Sequence, residues 1–537
     1  MSLSTSPKSN TAVTLQQLIE TSGNDRDRQS HSLTQALTTL ISTYSSQLPK
    51  AKTSIAHIPF EQFRLDSRQL AASDVFVLLK SQTPNCQKSR DYLYQSAEQA
   101  AFILSEIDPI ALLSTASVPP HANTSFTNDS DRSKAQQQLA ALPCPVVYVP
   151  NIRDFLGDLI QARLQHQQPV TLPTVVAVTG TNGKTTISQL VAQLTQLTGM
   201  SSAVMGTAGN GRLGALVQAS HTTGDALAVQ QFLYQMGLEK AQLLALEASS
   251  HGLDQQRLQG MPVSVAIYTN LSRDHLDYHA DMAEYAAAKA KLFDKAHFPE
   301  LTHAIINIDD EHAQIMLDTA HASGLTVWSY SLDPAKSATF VAADIKPSLQ
   351  GVEIALRTDF KNKETKSINI ISPLLGRFNV ANLLAAIAAA VALGISLERI
   401  ADVIPQLQGA VGRMQRVPSA NGCFIVDYAH TPDALSQVLA SLKTHCKGQL
   451  WAVFGCGGDR DAGKRPLMAQ AGLAGADKVV LTADNPRTED PNLILQDMQT
   501  GMTRAQYERT HIEPARQTAI EYAVKQAAPA DIVVIAG

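Results

Sequence analysis

Short apolar segments that alternate with helical patterns constrain the fold of this 537-residue chain more than any other feature. Each apolar segment ends in a polar or glycine-rich cluster, as buried parallel strands do. The segments are residues 174–178, 243–246, 263–268, 304–308, 424–426, 450–454, 478–481 and 532–535. After the first segment, a helical face is formed by Ile187, Leu190, Val191, Leu194 and Leu197. The alternation predicts parallel sheets covered by helices, an α/β protein.

The polar clusters after these segments hold the candidate functional residues, because ligands of parallel α/β sheets bind beyond the carboxyl ends of the strands. Loops are polar in most proteins, so polarity by itself does not mark a site. The clusters are residues 180–186, 247–251, 270–279, 427–430, 455–466 and 484–487. Their repeated position predicts that the chemistry lies at the carboxyl edges of the sheets.

Length and composition exclude several classes of protein. The chain is too long for one hydrophobic core and predicts about three domains. It has no apolar run of about 18 residues and no secretory signal, so we expect a cytoplasmic protein without a membrane partner. Five cysteines without a C-x-x-C pair argue against disulfides and zinc. A net charge of −5 without a block of basic residues argues against a nucleic-acid partner. The polar stretch 114–138 has no periodicity and predicts an exposed loop.

The cluster after the first segment predicts a site for a nucleoside triphosphate. Glycines let backbone N–H groups approach a phosphate, the lysine reaches the outer phosphates, and a threonine hydroxyl suits Mg²⁺. The general pattern places a further glycine where this chain has Val178, and the alternative is a glycine turn that opens an ordinary helix. The loop consists of Gly180, Thr181, Asn182, Gly183, Lys184, Thr185 and Thr186.

Glu247 and His275 follow the next two strands, where a carboxylate and an imidazole could face the phosphates. For a single Glu or His, a structural or solvated role is the ordinary interpretation. Lys289 lies in an alanine-rich helical segment, and a solvated lysine is its ordinary interpretation.

Five motifs in this order resemble the Mur ligases: TGTNGKTT, EASSHG from Glu247, TNLSRDHLDYH from Thr269, DYAHTP from Asp427 and GCGGDRDAGKRP from Gly455. The likeness extends from about Leu65 to the last residue. It implies a small N-terminal α/β domain over 1–150 that binds UDP and a central P-loop ATPase domain with a mostly parallel sheet over 151–411. A C-terminal Rossmann-like domain over 412–537 would bind an amino acid.

The resemblance also implies a reaction. ATP phosphorylates the side-chain carboxylate of D-glutamate in a UDP-muramoyl dipeptide, and the amine of the incoming amino acid displaces phosphate. Phosphorylation is needed because a carboxylate is a poor electrophile, and catalysis is then mainly positioning and charge neutralisation. The implied catalytic residues are Lys184, Glu247, His275 and Lys289, with Lys289 carbamylated. The implied Mg²⁺ ligands are Thr185, Glu247, His275 and the modified Lys289.

Further site residues are carried over from the matching motifs. Besides the phosphate loop, the implied ATP contacts are Asn379, Asn382, Arg413 and Asp427. The implied contacts of the UDP-muramoyl dipeptide are Leu65, Ser67, Thr222, Thr223, Ser249, Gln255 and Arg257. Hydroxyl, amide and guanidinium groups suit sugars and carboxylates. We expect the protein to act as a monomer on small molecules.

The incoming amino acid is inferred from Arg460 and from the run Asp484, Asn485, Pro486 and Arg487. An arginine can hold the distal carboxylate of meso-diaminopimelate through two hydrogen bonds, whereas lysine lacks that carboxylate. The branch of the family that adds diaminopimelate to the peptidoglycan precursor has this run. A lysine-adding ligase remains an alternative, as does a nucleotide-binding protein that performs no ligation. A folylpolyglutamate synthetase is disfavoured by Thr222, Thr223 and the Asp-Asn-Pro-Arg run.

Two departures from the family pattern alter these expectations. Residues 80–86 replace a glycine-rich Asp-Gly stretch of the UDP domain, so we expect part of that site to be built differently. The sequence also ends at Gly537, where relatives continue with a Lys-Gly-His-Glu segment and a helix. We therefore expect a truncated chain that binds the amino acid weakly.

Overall fold

The computed structural model describes three β-sheets that follow one another along the chain. The described residues are 12–22, 34–42, 54–81, 86–114, 129–219, 221–348, 351–360, 365–410, 412–417, 419 and 422–537. Two domain boundaries are proposed, at 150/151 and 411/412, and they fall between the sheets. Within the described residues, no helix is both long and apolar enough to cross a bilayer.

The first sheet is parallel throughout, and its strands follow each other in sequence order. Its strands are β1 (Phe63–Arg64), β2 (Val75–Leu78), β3 (Phe102–Ser105) and β4 (Val146–Tyr148). Its helices are α1 (Leu15–Ser22), α2 (34–42), α3 (Cys86–Ala97), α4 (Pro109–Ser114) and α5 (Asp129–Ala140). The next helix, α6 (Leu156–Gln167), buries Leu156, Leu159 and Ile160 in the same core cluster.

The exposed loop predicted over 114–138 is wrong where the structure describes it, because residues 129–138 belong to α5. This helix packs on α4, with Ala135 buried and Leu139 partly buried one turn later. So narrow an apolar face leaves no clear helical period in the sequence. Residues 115–128 lie outside the described residues.

The central sheet has a parallel middle flanked by antiparallel edges. Its order is β14-β13-β12-β11-β10-β9-β5-β8-β6-β7, and β12 to β14 and the β6/β7 pair are antiparallel. The strands are β5 (Thr174–Thr179), β6 (Ser202–Gly206), β7 (Gly209–Gly211), β8 (Leu243–Glu247), β9 (Val263–Tyr268), β10 (His303–Asn307), β11 (Thr326–Ser331), β12 (Phe340–Ser348), β13 (Gly351–Thr358) and β14 (Lys366–Ser372).

Helices cover both faces of the central sheet. They are α7 (Lys184–Leu197), α8 (Ala226–Leu238), α9 (Ser250–Asp254), α10 (Met282–Ala290), α11 (Ala313–Ala322), α12 (Arg377–Ala392) and α13 (Leu397–Val403). Helices α7 and α12 pack in one core cluster, and α8, α10 and α11 pack in the other. The predicted face of α7 is buried except for Leu197, which is 37% exposed in the last turn.

The third sheet has the order β15-β16-β20-β17-β18-β19 and is parallel except for the β15/β16 pair. The strands are β15 (Gln415–Val417), β16 (Cys423–Asp427), β17 (Leu450–Phe454), β18 (Lys478–Leu481), β19 (Thr510–Ile512) and β20 (Ile532–Ala536). The helices are α14 (Pro432–Lys443), α15 (Lys464–Gly475), α16 (Pro491–Gln499), α17 (Arg504–Glu508) and α18 (Arg516–Gln526). The last strand of the chain therefore lies in the middle of this sheet.

Candidate active site

The phosphate loop connects β5 to α7 through two glycines whose conformation and surroundings exclude a side chain. Gly180 has φ +149°, and a Cβ there would lie 1.8 Å from the Thr269 hydroxyl oxygen. Gly183 has φ +88°, and its Cβ would lie 2.6 Å from the Asn382 side-chain oxygen. The amino end of α7 follows at once, so its free N–H groups favour an anion.

Two lysines share one carbonyl of this loop. The Nζ atoms of Lys184 and Lys289 lie 2.8 Å and 3.0 Å from the Gly180 carbonyl oxygen. Lys289 is 1% exposed, and its Nζ lies 4.4 Å from the centre of the Tyr285 ring. Burial, followed by the charge of Lys184, holds the pKa of Lys289 well below its usual range. The low pKa favours the uncharged amine, which is the form that reacts with CO₂ to give a carbamate and a proton.

Glu247 lies at the end of β8, is 2% exposed, and is fixed by the turn that follows the neighbouring strand β6. Its Oε1 accepts the Thr207 N–H at 2.8 Å and its Oε2 accepts the Thr207 hydroxyl at 3.2 Å. Gly206 leaves room for this carboxylate, since a Cβ there would lie 2.1 Å from Oε1. The negative charge of Glu247 acts on Lys184, which places it beside the phosphate loop.

His275 stands in a left-handed backbone conformation, with φ +55°, in the loop after β9. Burial lowers the pKa of its imidazole, and the charges of Lys184 and Lys289 lower the pKa further, although Asp274 opposes them. This direction favours the neutral ring, which is the form that binds a metal. Lys184, Glu247, His275 and Lys289 thus form one electrostatically connected group.

The oxygen atoms near the phosphate loop suit a magnesium ion that has few protein ligands. The part of the chain that the structure describes has no cluster of three or more His, Cys, Asp or Glu suited to a metal. Magnesium is commonly held by one or two carboxylates, a hydroxyl and substrate phosphates, and Glu247 and the buried Thr185 supply such oxygens. Lys289 would join this set as a carbamate, because a carbamate supplies carboxylate-like oxygens and magnesium prefers oxygen ligands to an amine.

Predicted nucleotide contacts are contributed both by α12 of the central sheet and by the third sheet. Asn379 and Asn382 are buried, and the Asn382 amide donates to the Asn379 side-chain oxygen at 3.1 Å. The Arg413 guanidinium lies 4.6 Å from the centre of the Tyr428 ring, and its charge lowers the pKa of Lys184. Asp427 accepts the Met414 N–H at 2.7 Å. Asn382 thus lies beside Gly183 of the phosphate loop, and Arg413 lies close enough for its charge to act on Lys184.

A cavity of about 300 Å³ lies between the first and central sheets. Its lining includes Leu65, Gln255 and Arg257, three of the predicted contacts for the muramoyl nucleotide. Arg257 donates to the Thr223 carbonyl at 3.0 Å, and the Thr223 hydroxyl donates to the Glu247 carbonyl at 2.9 Å. The cavity is thereby linked to the phosphate site.

The other predicted nucleotide-peptide contacts lie outside the lining of this cavity. The Thr222 hydroxyl lies 3.0 Å from that of Thr207, beside Glu247. The Ser249 hydroxyl accepts the Gly252 N–H at 3.0 Å and caps α9. Ser67 begins a short 3-10 turn two residues after Leu65. The divergent stretch 80–86 contributes Lys80 to the lining, while residues 82–85 lie outside the described residues.

The predicted amino-acid contacts occupy two loops after β17 and β18. The Gly458 N–H donates to the Asn485 carbonyl at 2.9 Å, and Arg487 donates to the Gly458 carbonyl at 3.3 Å. Arg460 and Arg487 are both exposed. The structure therefore brings the two arginine-bearing loops together.

Several residues that the sequence did not single out shape the site. Thr207 holds the Glu247 carboxylate, and the Tyr285 ring packs against the Lys289 amine. Arg153 donates to the Glu106 carboxylate at 2.9 Å and 3.1 Å and to the Gln255 carbonyl at 3.1 Å, which joins the first and central sheets at the cavity. No motif contains Arg153, so no sequence signal could have identified it.

Asp274 and Lys464 connect the central and third sheets, with 3.6 Å between the Asp274 Oδ1 and the Lys464 Nζ. Asp274 lies in the TNLSRDHLDYH motif, directly before His275, and Lys464 lies in the GCGGDRDAGKRP motif. Their proximity could not be read from the sequence, because they lie 190 residues apart and in different domains.

Two family models match the chain: the Mur ligase middle domain over residues 178–390, and the Mur ligase, glutamate ligase domain over residues 412–537. The UDP-N-acetylmuramoyl-L-alanyl-D-glutamate--2,6-diaminopimelate ligase of Vibrio vulnificus is 38% identical over 485 residues, 90% of each chain. A solved structure of a ligase with the same name superposes with a TM-score of 0.65 at 41% identity, covering 92% of this chain and 93% of that chain. Folylpolyglutamate synthase of Mycobacterium tuberculosis, complexed with ADP, shares the fold, with a TM-score of 0.58 at 18% identity over 72% of this chain and 91% of its own.

Proposed function

This chain belongs to the Mur ligase family, and we propose that it joins meso-diaminopimelate to UDP-N-acetylmuramoyl-L-alanyl-D-glutamate at the expense of ATP. The product would be the tripeptide precursor of peptidoglycan. The observation that carries the proposal is the electrostatically connected group of Lys184, Glu247, His275 and Lys289. In this group Lys184 and Lys289 both donate to the Gly180 carbonyl, which combines a phosphate loop with a buried amine of low pKa.

In the first step, the side-chain carboxylate of the D-glutamate attacks the γ-phosphorus of ATP, giving an acyl phosphate and ADP. Lys184 and the amino end of α7 would balance the charge on the transferred phosphoryl group. Magnesium, held through Thr185, Glu247, His275 and carbamylated Lys289, would neutralise charge on the phosphates. Thr185, Glu247 and Lys289 are buried, which strengthens the interactions that they make.

In the second step, the amine of the incoming amino acid attacks the acyl carbon, the amide bond forms, and phosphate leaves with loss of a proton. The two reactants bind on different domains, so the protein gains rate mainly by bringing them together. The link from Arg257 through Thr223 to Glu247 supports this geometry, because it connects the nucleotide-peptide cavity to the phosphate site.

Diaminopimelate is the proposed amine substrate because two arginines, Arg460 and Arg487, lie on adjacent loops of the third sheet. A guanidinium can pair with the distal carboxylate of this amino acid through two hydrogen bonds. Lysine has no such group, so its use would leave the arginine charge without a partner, and discrimination should be strong.

The test is phosphate release from ATP with each substrate omitted in turn. The proposal expects release only when the muramoyl dipeptide and diaminopimelate are both present, with a product heavier than the dipeptide by one diaminopimelate minus water. Turnover with lysine in its place would identify a lysine-adding ligase. Bound ATP without phosphate release would favour a nucleotide-binding protein that performs no ligation.

A pair of lysine variants tests the role of the phosphate-site group. Lys289→Met should abolish phosphate release, because it removes the only position in the proposed metal set that becomes a carbamate. Lys295→Met is the matched control, since Lys295 is exposed and lies six residues after Lys289, beyond the end of α10. Equal activity of the two variants would contradict the role proposed for Lys289.

A further inference from the structure

Arg465 is buried beside the two loops that hold the proposed amino-acid contacts, and its side chain bonds to the carboxylates of Glu489 and Asp497. It is 3% exposed and lies in the first turn of α15. Its Nη2 donates to both carboxylate oxygens of Glu489, at 2.7 Å and 2.8 Å, and its Nη1 donates to Asp497 at 2.7 Å. One guanidinium therefore joins the start of α15 to the loop after β18 and to α16.

Glu489 extends this connection to the other loop. Its Oε1 also accepts the Asp459 backbone N–H at 2.5 Å. The Asp459 carboxylate in turn accepts the Thr488 hydroxyl at 2.8 Å and the Thr488 N–H at 3.2 Å. The residue before Arg460 is thus bound to the two residues after Arg487.

Both loops need such support because each contains a residue in the left-handed backbone conformation, which is unfavourable for residues other than glycine. Asp459 has φ +52° and Arg487 has φ +50°. Backbone strain of this kind persists only where the surrounding structure holds it. The loops also meet so closely that a Cβ on Gly458 would lie 2.0 Å from the Pro486 carbonyl oxygen.

We propose that Arg465 is a positioning residue for the amino-acid substrate: through Glu489 it holds the Asp459–Arg460 and Arg487–Thr488 turns at a fixed distance from each other. The proposal rests on the proposed function, since it assumes that the two exposed arginines receive the distal carboxylate. A planar guanidinium is required because it bridges two carboxylates in defined directions, which the point charge of a lysine cannot do.

The test uses two conservative variants of the full chain, Arg465→Lys and Glu489→Gln, each with a matched control. Arg504→Lys and Glu508→Gln are the controls, because Arg504 and Glu508 form an exposed pair in the same domain, with 3.5 Å between their charged atoms. The quantities measured are KM for diaminopimelate, KM for ATP, KM for the muramoyl dipeptide, and kcat, with the melting temperature of each variant as a folding check.

We expect KM for diaminopimelate to rise about tenfold in both test variants, while the other two KM values stay within about twofold of wild type and the controls remain unchanged. Unchanged KM for diaminopimelate, or an equal rise in all three KM values, would overturn the proposal. If Arg465→Lys is unfolded at the assay temperature, Glu489→Gln alone decides, since that side chain is 32% exposed.

Wild-type turnover separates this inference from the proposed function. An active wild type whose two variants keep the wild-type KM for diaminopimelate refutes only the role of Arg465. A wild type that consumes no diaminopimelate refutes both.

Discussion

Replacing Gly206 by alanine tests how closely the position of Glu247 controls the reaction. Gly206 ends β6 and has no positive φ, so alanine is compatible with its backbone. The new Cβ would lie 2.1 Å from the Glu247 Oε1 and 2.5 Å from its Cδ. Since such atoms do not approach within about 3 Å, the carboxylate must move by about 1 Å.

A displacement of this size at a reacting centre costs roughly 100-fold in rate, or about 2.7 kcal/mol of transition-state stabilisation. We therefore expect Gly206→Ala to lower kcat for phosphate release by about that factor. Overpacking should also lower the free energy of unfolding by about 1 to 3 kcal/mol, measured by thermal or urea denaturation.

Gly409→Ala is the matched control, because Gly409 is exposed and its Cβ would meet no atom closer than 3.6 Å. The effect of Gly206→Ala should also nearly vanish when Glu247→Gln is already present, since both changes act on one carboxylate. A kcat within about threefold of wild type, or full additivity of the two substitutions, would refute the reasoning.

Three further changes test other parts of the structure. Lys464→Met should lower the melting temperature by no more than about 4 °C in calorimetry, because its ion pair with Asp274 is partly exposed and contributes at most about 1 kcal/mol. Arg153→Met should raise KM for the muramoyl dipeptide about tenfold, with KM for ATP unchanged, because it loses the contact that holds Gln255. Burial lowers the pKa of His251 in the folded protein from 6.5 to about 4. As the pH falls, the imidazole is therefore protonated in the unfolded chain at a higher pH than in the folded protein. Stability should therefore decline from about pH 6.5 towards pH 4, and calorimetry should find a weaker decline for His251→Asn.

Eight strands of the parallel sheets were predicted, because burial on both faces makes their sequences continuously apolar. The parallel-paired strands β1 to β4, β6, β11 and β19 were not predicted. Segments 263–268, 450–454 and 478–481 agree with the observed strands at both ends, and the others differ by one residue at one or both ends. The antiparallel edge strands β12 to β14 were not predicted. One face of β14 is largely open to solvent, as the 68% exposure of Ile371 indicates, so these strands lack a continuous apolar run.

The family resemblance indicated most residues of the candidate site, but not the contacts that hold them. Thr207, Arg153 and Arg465 act by supporting a neighbouring group, and their residue types are common in ordinary surfaces and turns. Their side-chain directions depend on strands and loops that are distant in the sequence. The roles assigned to the matching site residues remain predictions that the experiments above test.

The sequence by itself determined the local units: apolar strands, the glycine loop that opens a helix, and the α/β class. Those follow from spacing over a few residues, where backbone geometry and burial act directly. The tertiary structure alone decided that Lys289 meets the carbonyl of Gly180, 109 residues earlier, and that the Arg153 and Lys464 contacts join neighbouring sheets. Such meetings depend on strand order and sheet packing. The low pKa of Lys289 likewise needs the assembled core, which removes water from its amine and places Lys184 beside it.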